Sequence, residues 1–247
     1  MSYFTGILGL NPAQVTALIA RNEPDGTAGL YACKTILNEH RPVCTKEYHL
    51  TGKYLDGADN PDVWFPIAAG TGSIVYATRY LTITSSTGDV SANRAVIDQT
   101  KFPIAGNFAE VTCKIGTVVA GANGTRNTSI GFQDAFSSLA VNRAVFYYNG
   151  NTHKWYIASL DPSVAVDTLP LGRDLQAGDI VTVRLDRVEG STNIDIVRFY
   201  VNGQKQYESS SGLPLVDMYA GIGVYNDASV TTAISFSTDY FGVRYVP

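Results

Sequence analysis

Hydrophobic and polar positions along this chain follow two regimes, and the change falls near residue 73. Beyond it, apolar and polar residues alternate with a period of two and are cut by turn residues, the pattern of half-buried strands. Ile180 to Val188 sets Val181, Val183 and Leu185 on one face and Thr182, Arg184 and Asp186 on the other. Ile194 to Val201 sets Val197, Phe199 and Val201 inward, and Asn202-Gly203 turns the chain into Gln204 to Glu208. Ala144 to Tyr148 and Lys154 to Ser159 flank Asn149-Gly150, a dipeptide suited to the positive φ angles of a tight hairpin. Ser73 to Thr84 forms one β-rich run closed by the turn Ser85-Ser86-Thr87-Gly88. Phe108 to Val119, Thr128 to Phe132, Met218 to Tyr225, Thr232 to Ser237 and Tyr240 to Val246 add further strands. Strands so spaced, each with one apolar face, predict two packed antiparallel sheets.

The earlier part differs. Asn11 is placed to cap a helix, Pro12 suits the first helical position, and Gln14 sits at the capping-box position. Val15, Leu18 and Ile19 then share a stripe, and Asn22-Glu23-Pro24 stops the pattern, so a short amphipathic helix is expected over residues 12–22. Its stripe packs either on the sandwich or on a partner chain. Residues 24–70 are irregular and hold Pro24, Pro42, Pro61 and Pro66, with Val63-Trp64-Phe65-Pro66-Ile67 as an apolar anchor. The expected organisation is an N-terminal arm or cap with one short helix over residues 1–72, followed by a sandwich over residues 73–247. The fold class is all-β, a two-sheet antiparallel jelly-roll β-sandwich.

Composition agrees with strands and turns. Of the 247 residues 45% are hydrophobic and only 16% charged, while Gly, Thr, Ser, Asn and Tyr are plentiful. The net charge of −4 carries no basic footprint for nucleic acid, and no Lys/Arg cluster marks a membrane surface. No stretch reaches the ~18 apolar residues of a spanning helix. The chain opens MSYFTGILGLNPAQ, without the basic start and long apolar run of a secretory signal. The cysteines are Cys33, Cys44 and Cys113; free thiols are expected, with a Cys33–Cys44 bridge as the alternative.

Ala177-Gly178-Asp179-Ile180-Val181-Thr182-Val183-Arg184-Leu185-Asp186 and Val197-Arg198-Phe199-Tyr200-Val201-Asn202-Gly203 resemble a paired strand and hairpin of the concanavalin A-like lectin/glucanase superfamily, which includes laminin-G-like and SPRY-like sandwiches. The closing Phe241-Gly242-Val243-Arg244-Tyr245-Val246 is similar to that superfamily's last strand, and the resemblance covers residues 73–247. It implies the sandwich and leaves function to the site, because the superfamily holds lectins, hydrolases, lyases and structural domains. Its glycoside hydrolases carry paired glutamates as E-x-D-x-x-E, which puts two carboxyl groups about 5 Å apart; no such run exists here. Tyr219-Ala220-Gly221-Ile222-Gly223-Val224-Tyr225-Asn226-Asp227 resembles the terminal strand of the alginate-lyase-like branch, but the lysine of that strand and the family's Q-I-H and R-T-E-L-R strands are missing. The neutralising cation and proton abstractor of a lyase are thus unassigned. No catalytic residue is expected.

Sugar binding calls for an aromatic platform with amides or carboxylates beside it. Tyr148, Asn151 and Trp155 in the Asn149-Gly150 hairpin are one candidate set, with core filling as the alternative reading of Trp155 and the alternate tyrosines. Tyr225, Asn226 and Asp227 are the second set. Asp56, Asp59 and Asp62 gather in one loop as hard oxygen ligands for calcium, without EF-hand spacing; no other cofactor is expected. The leading expectation is a non-enzymatic surface or structural module of a bacteriophage virion, a capsid decoration or tail-associated protein, docked on other virion subunits or self-associated through residues 1–72. A lectin-like domain recognising cell-surface glycans is the first alternative, and a polysaccharide lyase or glycosidase with an atypical site the second.

Overall fold

The computed structural model describes residues 46–51, 55, 64–67, 72–85, 91–97, 108–119, 126–135, 142–159, 164–187, 194–210, 213, 216–226 and 232–246. The chain divides into the units Met1–Cys44 and Thr45–Pro247, and the sandwich belongs to the second. The expected helix over 12–22, Cys33, Cys44, the Asp56, Asp59 and Asp62 loop, and Asp227 lie outside the described residues.

Three antiparallel sheets build the sandwich. One has six strands in the order β1 (Lys46–Thr51), β17 (Tyr240–Val246), β6 (Phe108–Lys114), β12 (Ile180–Asp186), β13 (Ile196–Val201) and β14 (Gln204–Ser209). A second has seven, in the order β11 (Val164–Ala165), β10 (Lys154–Ser159), β9 (Arg143–Asn149), β8 (Arg126–Gln133), β15 (Tyr219–Asn226), β5 (Ser91–Ile97) and β2 (Trp64–Ile67). A small third sheet orders β3 (Ser73–Ala77), β4 (Tyr80–Thr84), β16 (Ser235–Thr238) and β7 (Val118–Val119). Helical structure among the described residues is confined to 3-10 turns, at Leu55 and at Val166–Thr168. The all-β jelly-roll expectation holds.

Alternation explains the packing. On the six-stranded sheet Val111, Val183, Phe199 and Val243 align across neighbouring strands and join one core. On the seven-stranded sheet Ile130, Phe146, Ile157 and Ile222 do the same. The two sets meet where Phe146 packs edge-on against Phe199, with ring centroids 5.4 Å apart. Gly131 sits between Ile130 and Phe132 at φ +137, and an added Cβ would lie 2.3 Å from the Ala144 carbonyl oxygen. Cys113 is a free, buried thiol in the same core, and burial pushes its pKa up to about 12.

The two family-like motifs are tied to each other by one carboxylate. Asp179 accepts two hydrogen bonds from Arg173, at 2.7 and 2.8 Å, one from the Gln176 amide at 2.9 Å, and one from Asn202 Nδ2 at 2.9 Å. Asn202, at φ 51, also accepts from the Ile180 amide through Oδ1. The Gly-Asp turn entering β12 and the Asn-Gly turn leaving β13 therefore brace one another.

The strands depart from the sequence expectation in three places. The sandwich starts at β1, and β2 is an edge strand of the larger sheet, so residues 46–51 and 64–67 belong to it rather than to a separate arm. Both are short, and Pro66 is tolerated because an edge strand leaves one side of its backbone unpaired. Residues 73–84 are a hairpin, β3 to β4, whose turn residues Thr78 and Arg79 have φ 51 and 66. Residues 108–119 change sheets after Lys114, at Gly116, where a Cβ would lie 2.3 Å from the Ser237 carbonyl oxygen.

Candidate functional site

The strands flanking Asn149-Gly150 form the expected β9–β10 hairpin, with Tyr148 opposite Trp155 and Tyr147 opposite Tyr156, but Asn149 pairs with Lys154 and the loop over residues 150–153 takes its positive φ at His153. Parity decides which pair is available. Trp155 (2% exposed) and Tyr148 (9%) point into the core, packed edge-on at 5.6 Å, and Trp155 continues onto Phe236 of β16. Core filling is thus the role in which the structure places both rings. Asn151 is exposed in the turn, where its amide donates to Asn149 Oδ1 at 2.9 Å. Asp174 braces the hairpin from outside: its carboxylate accepts from the Trp155 and Leu175 amides, and burial raises its pKa.

The opposite face of the seven-stranded sheet carries the chemistry that the sequence signal missed by one residue. Tyr147 and Tyr156 stack there at 5.3 Å and 18°, both half-buried. Arg143 lies with its guanidinium carbon 5.5 Å from the Tyr147 ring centre, and its Nε is buried without a hydrogen-bond partner. Lys154 at the hairpin end reaches Asp167 at 2.6 Å. Toward the sheet centre, the Tyr225 hydroxyl donates to Ser129 Oγ at 3.0 Å, Ser129 Oγ donates to Gln133 Oε1 at 2.8 Å, and Gln133 Nε2 is 3.4 Å from the Tyr225 oxygen. All three are buried, and burial pushes the Tyr225 hydroxyl pKa up. Val145, Ala158 and Gly221 are buried on this face too, whereas Tyr147, Tyr156, Arg143 and Tyr219 are half-buried there. The candidate Tyr225 thus reaches this face as an internal hydrogen-bonding group, and Asn226 is buried at 1% exposure.

None of the seven strands of this sheet contains Asp or Glu. The strand carboxylates lie on the six-stranded sheet, and those with described side chains are each matched to cations. Glu110 accepts from Arg244 at 2.5 and 3.0 Å. Asp186 accepts from Arg184 at 2.8 Å and also pairs with Arg198. Glu208 pairs with Arg198 and Lys205. Phe108 lies beneath the guanidiniums of Arg184 and Arg244, at 4.6 and 5.7 Å.

The architecture has counterparts among solved structures. The β-glucanase of Bacillus licheniformis superposes with a TM-score of 0.51 at 14% identity, over 81% of this chain and 98% of that one. The fold of this chain is similar to that of this β-glucanase. Arcelin-5, a lectin-like defense protein from Phaseolus vulgaris, matches at TM-score 0.49 and 11% identity, over 82% of this chain and 99% of that one. A sialidase matches at TM-score 0.49 and 10% identity over 72% of this chain, which spans 16% of the length of that protein. No family model and no curated protein matches the sequence.

Among the described residues, no group of three or more His, Cys, Asp or Glu side chains is placed to hold a metal ion. No helix of the described residues is long and apolar enough to cross a membrane.

Proposed function

We propose that this chain is a non-enzymatic carbohydrate-binding module whose platform is the Tyr147–Tyr156 pair. The supporting observation is the seven-stranded sheet itself: it presents stacked tyrosines, Arg143 and amide groups on one face, and no strand carboxylate. Stacked rings offer an apolar surface to the C–H face of a sugar, and amides and a guanidinium serve its oxygens. A glycosidase needs two carboxyl groups flanking the bond, one to give a proton and one to attack or activate water. The strand carboxylates with described side chains lie on the six-stranded sheet and are held by arginines. In this reading the N-terminal segment anchors the module to a larger assembly, a virion in the sequence-based expectation, and the sandwich meets the glycan.

A glycan array probed with the full chain tests the reading. Binding to a defined set of glycans, lost in Tyr147→Ala and Tyr156→Ala, is the expected outcome, together with no unsaturated or reducing-end product from acidic polysaccharides or β-glucans. An array without any bound glycan, or turnover of a polysaccharide, sinks the proposal.

A further inference from the structure

A second, separate recess lies on the small sheet. It encloses about 530 Å³, within the range of about 300–1,000 Å³ typical of small-molecule sites. Its floor is one face of β4 and β16, with Thr82, Ser235 and Ser237 directly aligned across the pair or two residues apart. Thr117 adds a fourth hydroxyl from the segment leaving β6. The Thr117 amide donates to Ser237 Oγ at 2.8 Å, whereas the Thr82 and Ser235 hydroxyls have no side-chain partner among the described residues. One wall is the Lys114–Asp239 ion pair at 2.8 Å, and another is the Ala177-Gly178 turn, held to Ile115 by backbone hydrogen bonds of 2.7 and 2.8 Å.

Apolar side chains are exposed on the same face as the recess floor. The large hydrophobic side chains exposed among the described residues are Val75 (50%), Tyr80 (36%), Val119 (54%), Ile180 (42%) and Val216 (39%). Val75, Tyr80 and Val119 share the face that forms the recess floor, and Ile180 stands opposite Lys114 in the strand register. The β3–β4 turn beside them holds two non-glycine residues at positive φ, between Ala77 and Tyr80, which both line the recess. Such backbone is retained where surrounding structure holds it against its cost.

Hydroxyls both donate and accept, a matched ion pair carries no net charge, and an aromatic edge supplies an apolar plate. That combination fits a neutral polyhydroxy ring better than an ion or an apolar peptide. We propose that the recess binds a neutral mono- or disaccharide unit, seated on Thr82, Ser235 and Ser237, flanked by Lys114 and Asp239 and covered on one side by Tyr80. It is a second site beside the hairpin platform, and it rests on the carbohydrate reading given above.

The test uses the full chain with lactose, maltose, cellobiose and N,N′-diacetylchitobiose as probes, followed by saturation-transfer NMR and calorimetric titration. Tyr80→Ala and Thr82→Val are the recess variants, Tyr156→Ala the hairpin control, and thermal melts confirm that each variant folds. Read in the Tyr156→Ala background, where the hairpin platform is disabled, the expected result is binding of at least one disaccharide that a recess substitution weakens about tenfold or more. If a folded Tyr80→Ala and a folded Thr82→Val bind as that background does, or if none of the four probes binds while the array still finds ligands lost in Tyr156→Ala, the recess proposal is overturned and the carbohydrate reading stands. If neither the array nor the probes show binding, both fall. Ser235→Ala supplies the same readout should either recess variant fail to fold.

Discussion

Asp179 shows how much a single side chain carries here. Arg173 beside it holds the carboxyl pKa down to about 2, with the Gln176 amide and Asn202 adding to the effect. The folded pKa is below the ordinary value of 3.8, so the charged form binds the native state better. The stabilisation is therefore complete above about pH 4 and is lost as pH falls through about 2. Arg173 is 39% exposed, which weakens the pair through solvent screening, so the expected cost of Asp179→Asn is about 1–2 kcal/mol. Urea unfolding at pH 7 and at pH 2 checks this: the gap between parent and variant should be open at pH 7 and mostly closed at pH 2. An equal gap at both would show that shape, not charge, makes the brace. The sequence placed this aspartate in a family-like motif, but nothing in the spacing shows its partner, because Arg173 reaches it across a turn with no repeating pattern.

Strands and turns differ in how far their residues announce them. β12, β13 and β14 follow from alternation plus the Asn202-Gly203 turn, whose residues take up the positive φ they favour, whereas β9 and β10 follow from alternation and are joined through residues 150–153 with the positive φ at His153. The β3–β4 turn has the same kind of backbone at Thr78 and Arg79, residues that signal no turn, so the hairpin was concealed inside one β-rich run. A β-branched residue at φ 51 is costly, which yields a prediction at this scale. Replacing Thr78-Arg79 by Asn-Gly should raise stability by about 1 kcal/mol or more, read as a higher urea midpoint at unchanged slope. A lower midpoint would mean that Thr78 or Arg79 makes contacts worth more than the backbone strain. The candidate site misled by the same route: alternation shows that Tyr147 and Tyr148 face opposite ways but not which of them meets the core. That choice belongs to the other sheet, where Phe199 fills the space beneath Phe146.

At the scale of the molecule, the extent of the domain is what the sequence left hardest to see. The long alternating strands start at residue 73, yet β1 pairs with β17 along its full length and β2 closes the far edge of the seven-stranded sheet. Neither strand is long enough to show a period, and each is defined by the distant strand it pairs with. Leu50 (3% exposed) and Leu55 (0%) also belong to the core cluster, as members contributed from before residue 73. Two deletions should therefore behave differently. A chain starting at residue 45 keeps every described strand and every member of that cluster, and it should fold and melt cooperatively. A chain starting at residue 73 loses both strands and both leucines; at about 2–5 kcal/mol for each large core side chain, against a total of about 5–15 kcal/mol, it should aggregate or melt without cooperativity. Circular dichroism melts of the two chains decide the matter. Equal, cooperative transitions would show that β1 and β2 are dispensable additions to a sandwich complete without them, and a failure of the longer chain to fold would make the first 44 residues part of the folding unit.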